Sequence, residues 1–317
     1  MNALFEEFDE IGELAEALDD PSPGVRIMAV IDLADSADPA AIPYLARAIA
    51  DEAAGVRKQA AQALTDFDGP ETAAALVSAL TDSDPAVIEA AAISMTELKD
   101  PAAGESILPH LDATDTVKLK ACLAGIKELR RTEAMGPAIN ALQHSDNGVR
   151  TEAVGVIGWL QDEGSLPALR DAAKDDDTHV RRTALTALGF SKSDHAEATL
   201  IQGLGDNEWM VREAAAETLA KTGGASCVPH LRSALADEFW QVRVKVVRSL
   251  GKLHATEAAI EIAPMMDVPI PNLRKECAAV LGEMAVAETL PYLEKYIDDP
   301  DPDVRKNVRW AMGRIAA

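Results

Sequence analysis

Aromatic residues and cysteines are scarce in this chain. Only 4% of its 317 residues are Phe, Tyr or Trp, although 48% are hydrophobic. The apolar content is therefore mostly small or aliphatic, which favours closely packed helices over a thick core of large rings. The three cysteines, Cys122, Cys227 and Cys277, are far apart and form no CxxC pair. No disulfide framework or zinc ribbon is predicted.

Long hydrophobic runs and excess positive charge are also missing. No stretch approaches 18 uninterrupted apolar residues, and the acidic N-terminal segment has no basic region before an apolar run. We therefore expect no membrane span and no signal peptide, and we predict a cytoplasmic protein. The net charge of −23 disfavours binding to nucleic acid or anionic lipid. Residues 1–158 contribute −17 of this charge and residues 159–317 only −6.

One motif recurs along the whole chain. It consists of an acidic turn, a Val–Arg pair, and small or apolar residues four and eight positions after the Val. Its spacing of 30 to 32 residues is kept over ten copies. The hydrophobic position is occupied by Val25, Val56, Val87, Val117, Val149, Val180, Val211, Val242, Leu273 and Val304. Residues at +4 and +8 share one face of an α-helix, so each turn is predicted to start a helix, called helix B.

A shorter helical segment, helix A, is predicted before each turn. Examples are AAIPYLARAIAD and SLPALRDAAKD, in which Pro43 and Pro167 lie near the helix start, where proline is tolerated. A single hairpin of helices A and B cannot bury its apolar face, but stacked hairpins can. The sequence therefore predicts an all-α fold, an α-solenoid or superhelix of ten hairpins in which residues 1–317 form a single continuous array.

Charged residues occupy fixed places at the turns. Acidic residues precede the Val position, as in Asp51, Asp82, Asp112, Asp175, Asp206, Asp237 and Asp299. A basic residue follows it at Arg26, Arg57, Lys118, Arg150, Arg181, Arg212, Arg243, Arg274 and Arg305. This pattern predicts an Asp–Arg ladder that connects adjacent turns, with acidic caps at the N-termini of the B helices.

The motif resembles the HEAT repeat, in the short variant named after phycobilin lyase subunits. The resemblance is carried by stretches such as DDDTHVRRTALTALG and DNEWMVREAAAETLA and covers residues 3–315. Proteins with this repeat include bilin lyase subunits, metallocluster-assembly helpers, deoxyhypusine hydroxylase and a class of DNA glycosylases. The resemblance therefore implies a fold and leaves the function open.

The sequence shows no constellation of catalytic residues. None of the six histidines is followed by Glu, so the repeated His–Glu iron ligands of deoxyhypusine hydroxylase have no counterpart. GxxxxGK, GxSxG and HExxH are all missing. We expect no catalytic residue, metal site or cofactor. Cys122 and Cys277 are interpreted as small packing residues, whereas Cys227, near the start of a helix A, is expected to be more exposed.

Departures from the average repeat identify the candidate partner-binding residues. Two turns carry large apolar side chains where other turns have small or polar ones: Trp209, Met210, Phe239 and Trp240. These are interpreted either as local caps over helix ends or as anchors for a partner protein. Helix B of the later repeats carries aromatic or basic residues at Trp159, Arg182, Phe190, Lys221, Arg248, Lys252 and Trp310. Because B helices line the concave surface of HEAT-like arrays, the resemblance implies either an ordinary amphipathic surface or a basic and aromatic groove.

These observations lead to one functional hypothesis and two alternatives. Residues 1–145 are interpreted as an acidic structural arm and residues 146–317 as the partner-binding half. The leading hypothesis is a non-catalytic adaptor or maturation chaperone that holds a client protein. The alternatives are a bilin lyase-like subunit that attaches or removes a tetrapyrrole on an antenna protein, and an iron–sulfur cluster assembly helper dependent on Cys227. A homodimer through the C-terminal end, which carries Trp310, is a further expectation.

Overall fold

The structure, a computed structural model, describes residues 10–316. Over that range the chain folds into twenty α-helices with short 3-10 turns and contains no strand. The acidic segment before Glu10 and the terminal Ala317 lie outside the described residues. The helices are α1 Glu10–Glu16, α2 Pro23–Asp35, α3 Ile42–Ala48, α4 Ala54–Ala63, α5 Pro70–Ala79, α6 Pro85–Met95, α7 Gly104–Ile107, α8 Thr116–Ile126, α9 Met135–Ala141, α10 Asn147–Leu160, α11 Leu166–Ala172, α12 Thr178–Ala187, α13 Asp194–Gly203, α14 Trp209–Thr222, α15 Val228–Ala234, α16 Trp240–Lys252, α17 Ala259–Ile262, α18 Pro271–Met284, α19 Leu290–Glu294 and α20 Pro302–Ile315.

The twenty helices alternate as predicted, so the odd-numbered helices are helix A and the even-numbered ones are helix B of ten successive hairpins. At the start of α6, α8, α12 and α20 an aspartate side chain accepts a backbone N–H of the first helical turn. The Asp84 carboxylate accepts the N–H of Ala86 at 2.8 Å, and that of Asp177 accepts the N–H of His179 at 2.8 Å. Such caps satisfy donors that the first helical turn leaves open. The all-α solenoid predicted from the repeat is confirmed.

Small buried side chains bring neighbouring B helices together. The +4 position of every helix B, counted in α8 from Lys118, is an alanine, valine or cysteine that is at most 2% exposed. These residues are Ala29, Ala60, Ala91, Cys122, Ala153, Ala184, Ala215, Val246, Cys277 and Val308. Larger residues at +8, such as Leu64 and Leu219, are also fully buried, and each fully buried leucine stabilises the fold by about 1.5–3 kcal/mol.

The Val position is buried in eight of the ten copies, and Val25 and Val117 are the exceptions. Val117 was assigned to the wrong register. The cap Asp115 places Lys118 at the third residue of α8, the place that Val87 holds in α6. With Lys118 in that place, Cys122 lies at +4 and the interval is 31 residues on both sides. Val117 is therefore 53% exposed.

The chain divides into two compact units, of which the first ends at Leu160 and the second begins at Gln161. In the described chain, the first unit consists of α1–α10 and the second of α11–α20. Each unit has its own core along its B helices, with Leu33 and Leu123 among the buried residues of the first unit, and Leu219 and Leu250 among those of the second. None of the helices between residues 10 and 316 is long and apolar enough to cross a bilayer.

Candidate functional site

The turns are connected by a repeated arginine–aspartate pair. Arg57 donates from Nε and Nη2 to the two carboxylate oxygens of Asp82, at 2.6 and 2.8 Å. Its Nη1 donates to the backbone carbonyls of Asp51 and Glu52, which form the turn directly before its own helix, α4. The Asp82 carboxylate also accepts the N–H of Asp84 at 2.8 Å. One guanidinium therefore holds its own turn and the next one together.

The predicted ladder is confirmed at five places in the described chain. Each arginine pairs with the aspartate 25 residues later, with N–O distances of 2.6 to 2.8 Å. The pairs are Arg26–Asp51, Arg57–Asp82, Arg181–Asp206, Arg212–Asp237 and Arg274–Asp299. The prediction that Lys118 and Asp112 belong to the ladder was wrong. The one-residue register shift puts Leu119 in the arginine place of α8, where it is buried, and Ala113 in the aspartate place.

The ladder is interrupted at Arg243 in the second unit. Residue 268, which lies 25 positions later, is Val268, so no carboxylate occupies the usual place. The Nε atom of Arg243 is buried and has no hydrogen-bond partner. The nearby carboxylate of Asp267 is one position out of register and instead accepts the Tyr296 hydroxyl at 2.6 Å. The turn before α18, which contains Val268 and Pro269, therefore lacks the carboxylate that would continue the ladder.

The large apolar residues at two turns of the second unit are half-buried. Trp209 stacks on Phe239 of the next turn, with ring centroids 5.7 Å apart and an interplanar angle of 16°. The Arg212 guanidinium also lies 5.6 Å from the centroid of the Phe239 ring. Trp209 therefore pairs with Phe239 of the next turn. Trp209 and Phe239 are therefore half-buried against each other.

The predicted basic residues on helix B of the second unit differ in whether their charge is exposed or paired within the fold. Arg182, Lys221 and Lys252 are exposed. Arg248 is a bidentate partner of Glu276, with Nε–Oε1 at 2.8 Å and Nη2–Oε2 at 2.6 Å. Its charge is therefore compensated within the fold.

The two remaining aromatic candidates of the second unit also differ in exposure. Phe190 is half-buried, in the 3-10 turn that follows α12. Trp310 is 47% exposed, and one edge of its ring packs against α18, where a Cβ on Gly282 would lie 2.5 Å from Cζ3. We call Arg182, Lys221, Lys252 and Trp310 the exposed face of the second unit.

Trp159 belongs to the first unit. It is 38% exposed at the end of α10, and the Arg130 guanidinium lies 5.3 Å from the centroid of its ring. A cation over an indole face is a favourable pairing. Of the predicted candidates, Trp159 therefore belongs to the first unit and the other ten belong to the second.

All three cysteines are fully buried. Burial raises the pKa of the Cys122 thiol to about 12, and burial together with the charge of Glu197 raises that of Cys227 to about 11. The Cys227 thiol donates to the carbonyl of Gly224 at 3.1 Å. The expectation of an exposed Cys227 was wrong, because the start of α15 packs into the core. Residues 10–316 contain no group of three or more His, Cys, Asp or Glu side chains placed to hold a metal.

Sequence reasoning missed a cleft in the first unit. A half-open cavity of about 670 Å³ lies between α6, α8 and the start of α10, and its lining is mostly apolar. Ile88 lines it at the place that an arginine occupies in the ladder. The replacement of Val–Arg by Val87–Ile88 was visible in the sequence, but the first unit was interpreted only as a structural arm.

Comparison with known families decides the class of this chain. A model described as HEAT repeats matches it six times, at residues 11–97, 49–123, 104–189, 172–251, 197–269 and 265–317. This chain belongs to the HEAT-repeat family. HEAT solenoids commonly mediate interactions between proteins. No curated protein matches the sequence.

Solved structures with a similar fold include natural proteins and an engineered one. Importin β crystallised from ammonium sulfate has a TM-score of 0.69 and 13% identity, with 96% of this chain covered. A chain from a structure of Kap95p binding to RanGDP has a TM-score of 0.63 and 14% identity, also with 96% covered. The HEAT chain spans 52% and 51% of the lengths of these two. An engineered protein matches at a TM-score of 0.50 and 18% identity, covering 97% of this chain and 99% of the other. At these identities the likeness concerns the fold.

Proposed function

We propose that this HEAT protein is a non-catalytic scaffold or maturation chaperone that holds a client protein against the exposed face of its second unit. The observation that carries the proposal is Trp310, a half-exposed tryptophan on helix B of a chain with only four tryptophans. Tryptophan and arginine are enriched among the residues that dominate binding energy at protein interfaces. Arg182, Lys221 and Lys252 supply exposed cations on the same helix series.

The charge of the second unit favours an acidic client segment. Residues 161–317 carry a net charge of only −6, against −17 for the rest of the chain, and the three exposed cations of this face have no ion-pair partner among the described residues. Charge complementarity of this kind speeds association and selects partners more than it adds affinity. An acidic segment with one large apolar side chain would match both Trp310 and the cations.

Affinity purification with matched variants tests the proposal. The binding variant is Arg182→Ala/Lys221→Ala/Lys252→Ala, and Trp310→Ala is examined separately. The control is Lys174→Ala/Lys192→Ala/Lys295→Ala, which removes the same charge from exposed positions of the second unit outside helix B. We expect both face variants to lose a client that the wild type and the control retain. Equal recovery by all four proteins would remove the proposed surface.

The turn residues need their own variant. Trp209→Ala/Trp240→Ala/Arg248→Ala removes the aromatic pairing and the Glu276 ion pair together, so its thermal stability is measured beside its client recovery. If client recovery falls in a variant that stays folded, at least one of these three residues belongs to the binding surface. If recovery is unchanged, these residues act in packing.

The bilin lyase-like alternative rests on the same exposed cations, since the propionates of a tetrapyrrole are anionic. Coexpression with a pigment and an antenna protein tests it, and a coloured covalent adduct is its expected result. The cluster-assembly alternative is weakened by the burial of Cys227. Homodimerisation through α20 stays a prediction, which sedimentation of Trp310→Ala beside the wild type would test.

A further inference from the structure

We infer that the first unit carries a second docking site, a cleft between α6, α8 and α10 that receives the apolar side chains of a basic amphipathic protein segment. The site lies in a different unit from the exposed face proposed above, and its variants are different. The two ideas can therefore fail independently.

The cleft exists because two steps of the ladder are missing. Ile88 and Leu119 replace the arginines of α6 and α8, and Ala113 and His144 stand 25 residues later in place of the aspartates. In the ladder, the aspartate accepts hydrogen bonds both from an arginine and from the N–H two residues later. His144 keeps only the second of these, since its Nδ1 accepts the N–H of Asp146 at 3.0 Å. No guanidinium therefore crosses from α6 to the next turn, and the space beside Ile88 stays open.

The floor of the cleft is apolar and the cavity is large enough for side chains. Ile88, Ala92, Val117 and Ala124 line it, and its volume of about 670 Å³ falls within the roughly 300–1,000 Å³ of binding clefts. Ile93 extends the apolar surface beyond the cleft: it is 59% exposed and occupies on α6 the repeat position that Ala124 occupies on α8. Apolar residues grouped in this way mark binding surfaces more often than single ones do.

The rim of the cleft is acidic, which defines the partner. Glu89, Asp146 and Glu152 line it against one cation, Lys120. Glu152 is partly compensated by Lys127 at 3.3 Å, whereas Glu89 is exposed. The first 160 residues carry a net charge of −17, so anionic lipid and nucleic acid are repelled. A protein segment with aliphatic or aromatic side chains on one face and Lys or Arg beside them matches both the floor and the rim.

A labelled peptide serves as the probe. It is built from Leu and Lys with the leucines on one helical face, and its binding to the full chain is followed by fluorescence anisotropy. Two matched peptides carry Glu in place of every Lys or Ser in place of every Leu. We expect the Leu–Lys peptide to bind at least about tenfold more tightly than either. Equal affinity of the three peptides would overturn the inference.

Two single variants locate the binding. Ala124→Arg places a bulky cation in the cleft, and Gln62→Arg places the same group at the same repeat position of α4, outside the cleft. Both side chains are at least partly exposed. Ala124→Arg should weaken peptide binding by about tenfold or more, and Gln62→Arg should change it little. Glu89→Gln, which adds no bulk, should weaken binding at low salt only. Similar effects of the two arginine variants would overturn the site.

Methyl NMR supplies a second readout that does not depend on variant stability. The methyl signals of Ile88, in the cleft, should shift on peptide addition, and those of Ile260, an exposed isoleucine of the second unit, should not. Shifts confined to Ile260 would contradict the inference. Sedimentation tests the competing occupant: a wild type that self-associates and an Ala124→Arg variant that is monomeric would show that a second copy covers the cleft, which also overturns the proposal.

Discussion

Arg274 holds Asp299, on the next turn of the solenoid, through two hydrogen bonds of 2.8 and 2.9 Å, and the Asp299 side chain is only 1% exposed. The guanidinium also donates to the carbonyl of Val268 at 3.0 Å. A buried carboxylate of this kind is stable only while its partner is present. The ladder is thus a set of interdependent charges, each of which fixes the position of one hairpin on the next.

Removal of Arg274 should therefore be costly. Arg274→Ala leaves the Asp299 carboxylate buried without its cation, so we expect the free energy of unfolding to fall by about 3 kcal/mol. Urea unfolding of the full chain measures it. Arg309→Ala serves as the control, because its pair with Asp298 is 4.0 Å long and exposed, and its effect should be small. Equal effects of the two substitutions would show that the ladder pair adds nothing to stability.

The interrupted step at Arg243 should be repairable. Val268→Asp places a carboxylate where the other ladder pairs have one, and a hydrogen bond to a charged group contributes about 1.5–3 kcal/mol. Pro269 is compatible with this change, since Asp299 is followed by Pro300 and still accepts the N–H of Asp301. We expect the urea midpoint to rise. Val268→Asn, which lacks the charge, should give a smaller gain, and a midpoint lowered by Val268→Asp would contradict the ladder account.

Low pH should destabilise the protein by protonating the aspartates of the ladder. Hydrogen bonds from Arg57 lower the pKa of Asp82 below its usual value. Burial raises the pKa of Asp299, but the Arg274 and backbone hydrogen bonds lower it further than burial raises it. The unfolded chain therefore binds protons more readily than the folded one. The stabilisation is present above the ordinary pKa of about 3.9 and is lost as the pH falls through the lower folded values.

Urea midpoints between pH 7 and pH 2.5 would show this dependence. The midpoint should stay nearly constant down to about pH 4 and then fall steeply. Asp82→Asn should flatten the fall, because one of the contributing carboxylates is gone. A midpoint that does not change down to pH 3 would be inconsistent with lowered aspartate pKa values.

The cysteines should be unreactive in the folded protein. The pKa values of Cys122 and Cys227 are raised to about 12 and about 11, so almost no thiolate is present at pH 8. A thiol reagent should label the native chain slowly and label all three residues rapidly once urea unfolds it. Fast labelling of Cys227 in the native protein would restore the cluster-assembly alternative.

The repeat was predictable from sequence because each of its positions has one structural role. A buried valine begins helix B, a small residue at +4 allows neighbouring helices to approach, and the arginine pairs with the next turn. The same rule explains the error at Val117: Lys118 occupies the place that valine holds in most repeats, and the Asp115 cap defines that register. The Trp209–Phe239 stack was not predictable, because it joins different repeat positions on different turns.

The candidate sites were only partly predictable. The sequence shows which aromatic and basic residues differ from the average repeat. Whether a cation is free to bind a partner depends on neighbours that are distant in sequence. Arg248 pairs with Glu276, 28 residues later, whereas Lys252 remains exposed. The cleft beside Ile88 arises from side chains that are missing, and its shape depends on three helices at once.

Site-specific photo-crosslinking in the cells that produce the protein most directly tests whether the second unit holds a client on its exposed face. A photoreactive phenylalanine analogue is introduced at Trp310, at Lys221 and, as a control, at Ile260, which is exposed on α17 rather than on helix B. Crosslinked products are identified by mass spectrometry. If the second unit holds a client on its exposed face, the first two positions should capture the same protein and the control should not. Capture of that protein from Ile260 alone, or of no common protein from Trp310 and Lys221, would contradict it.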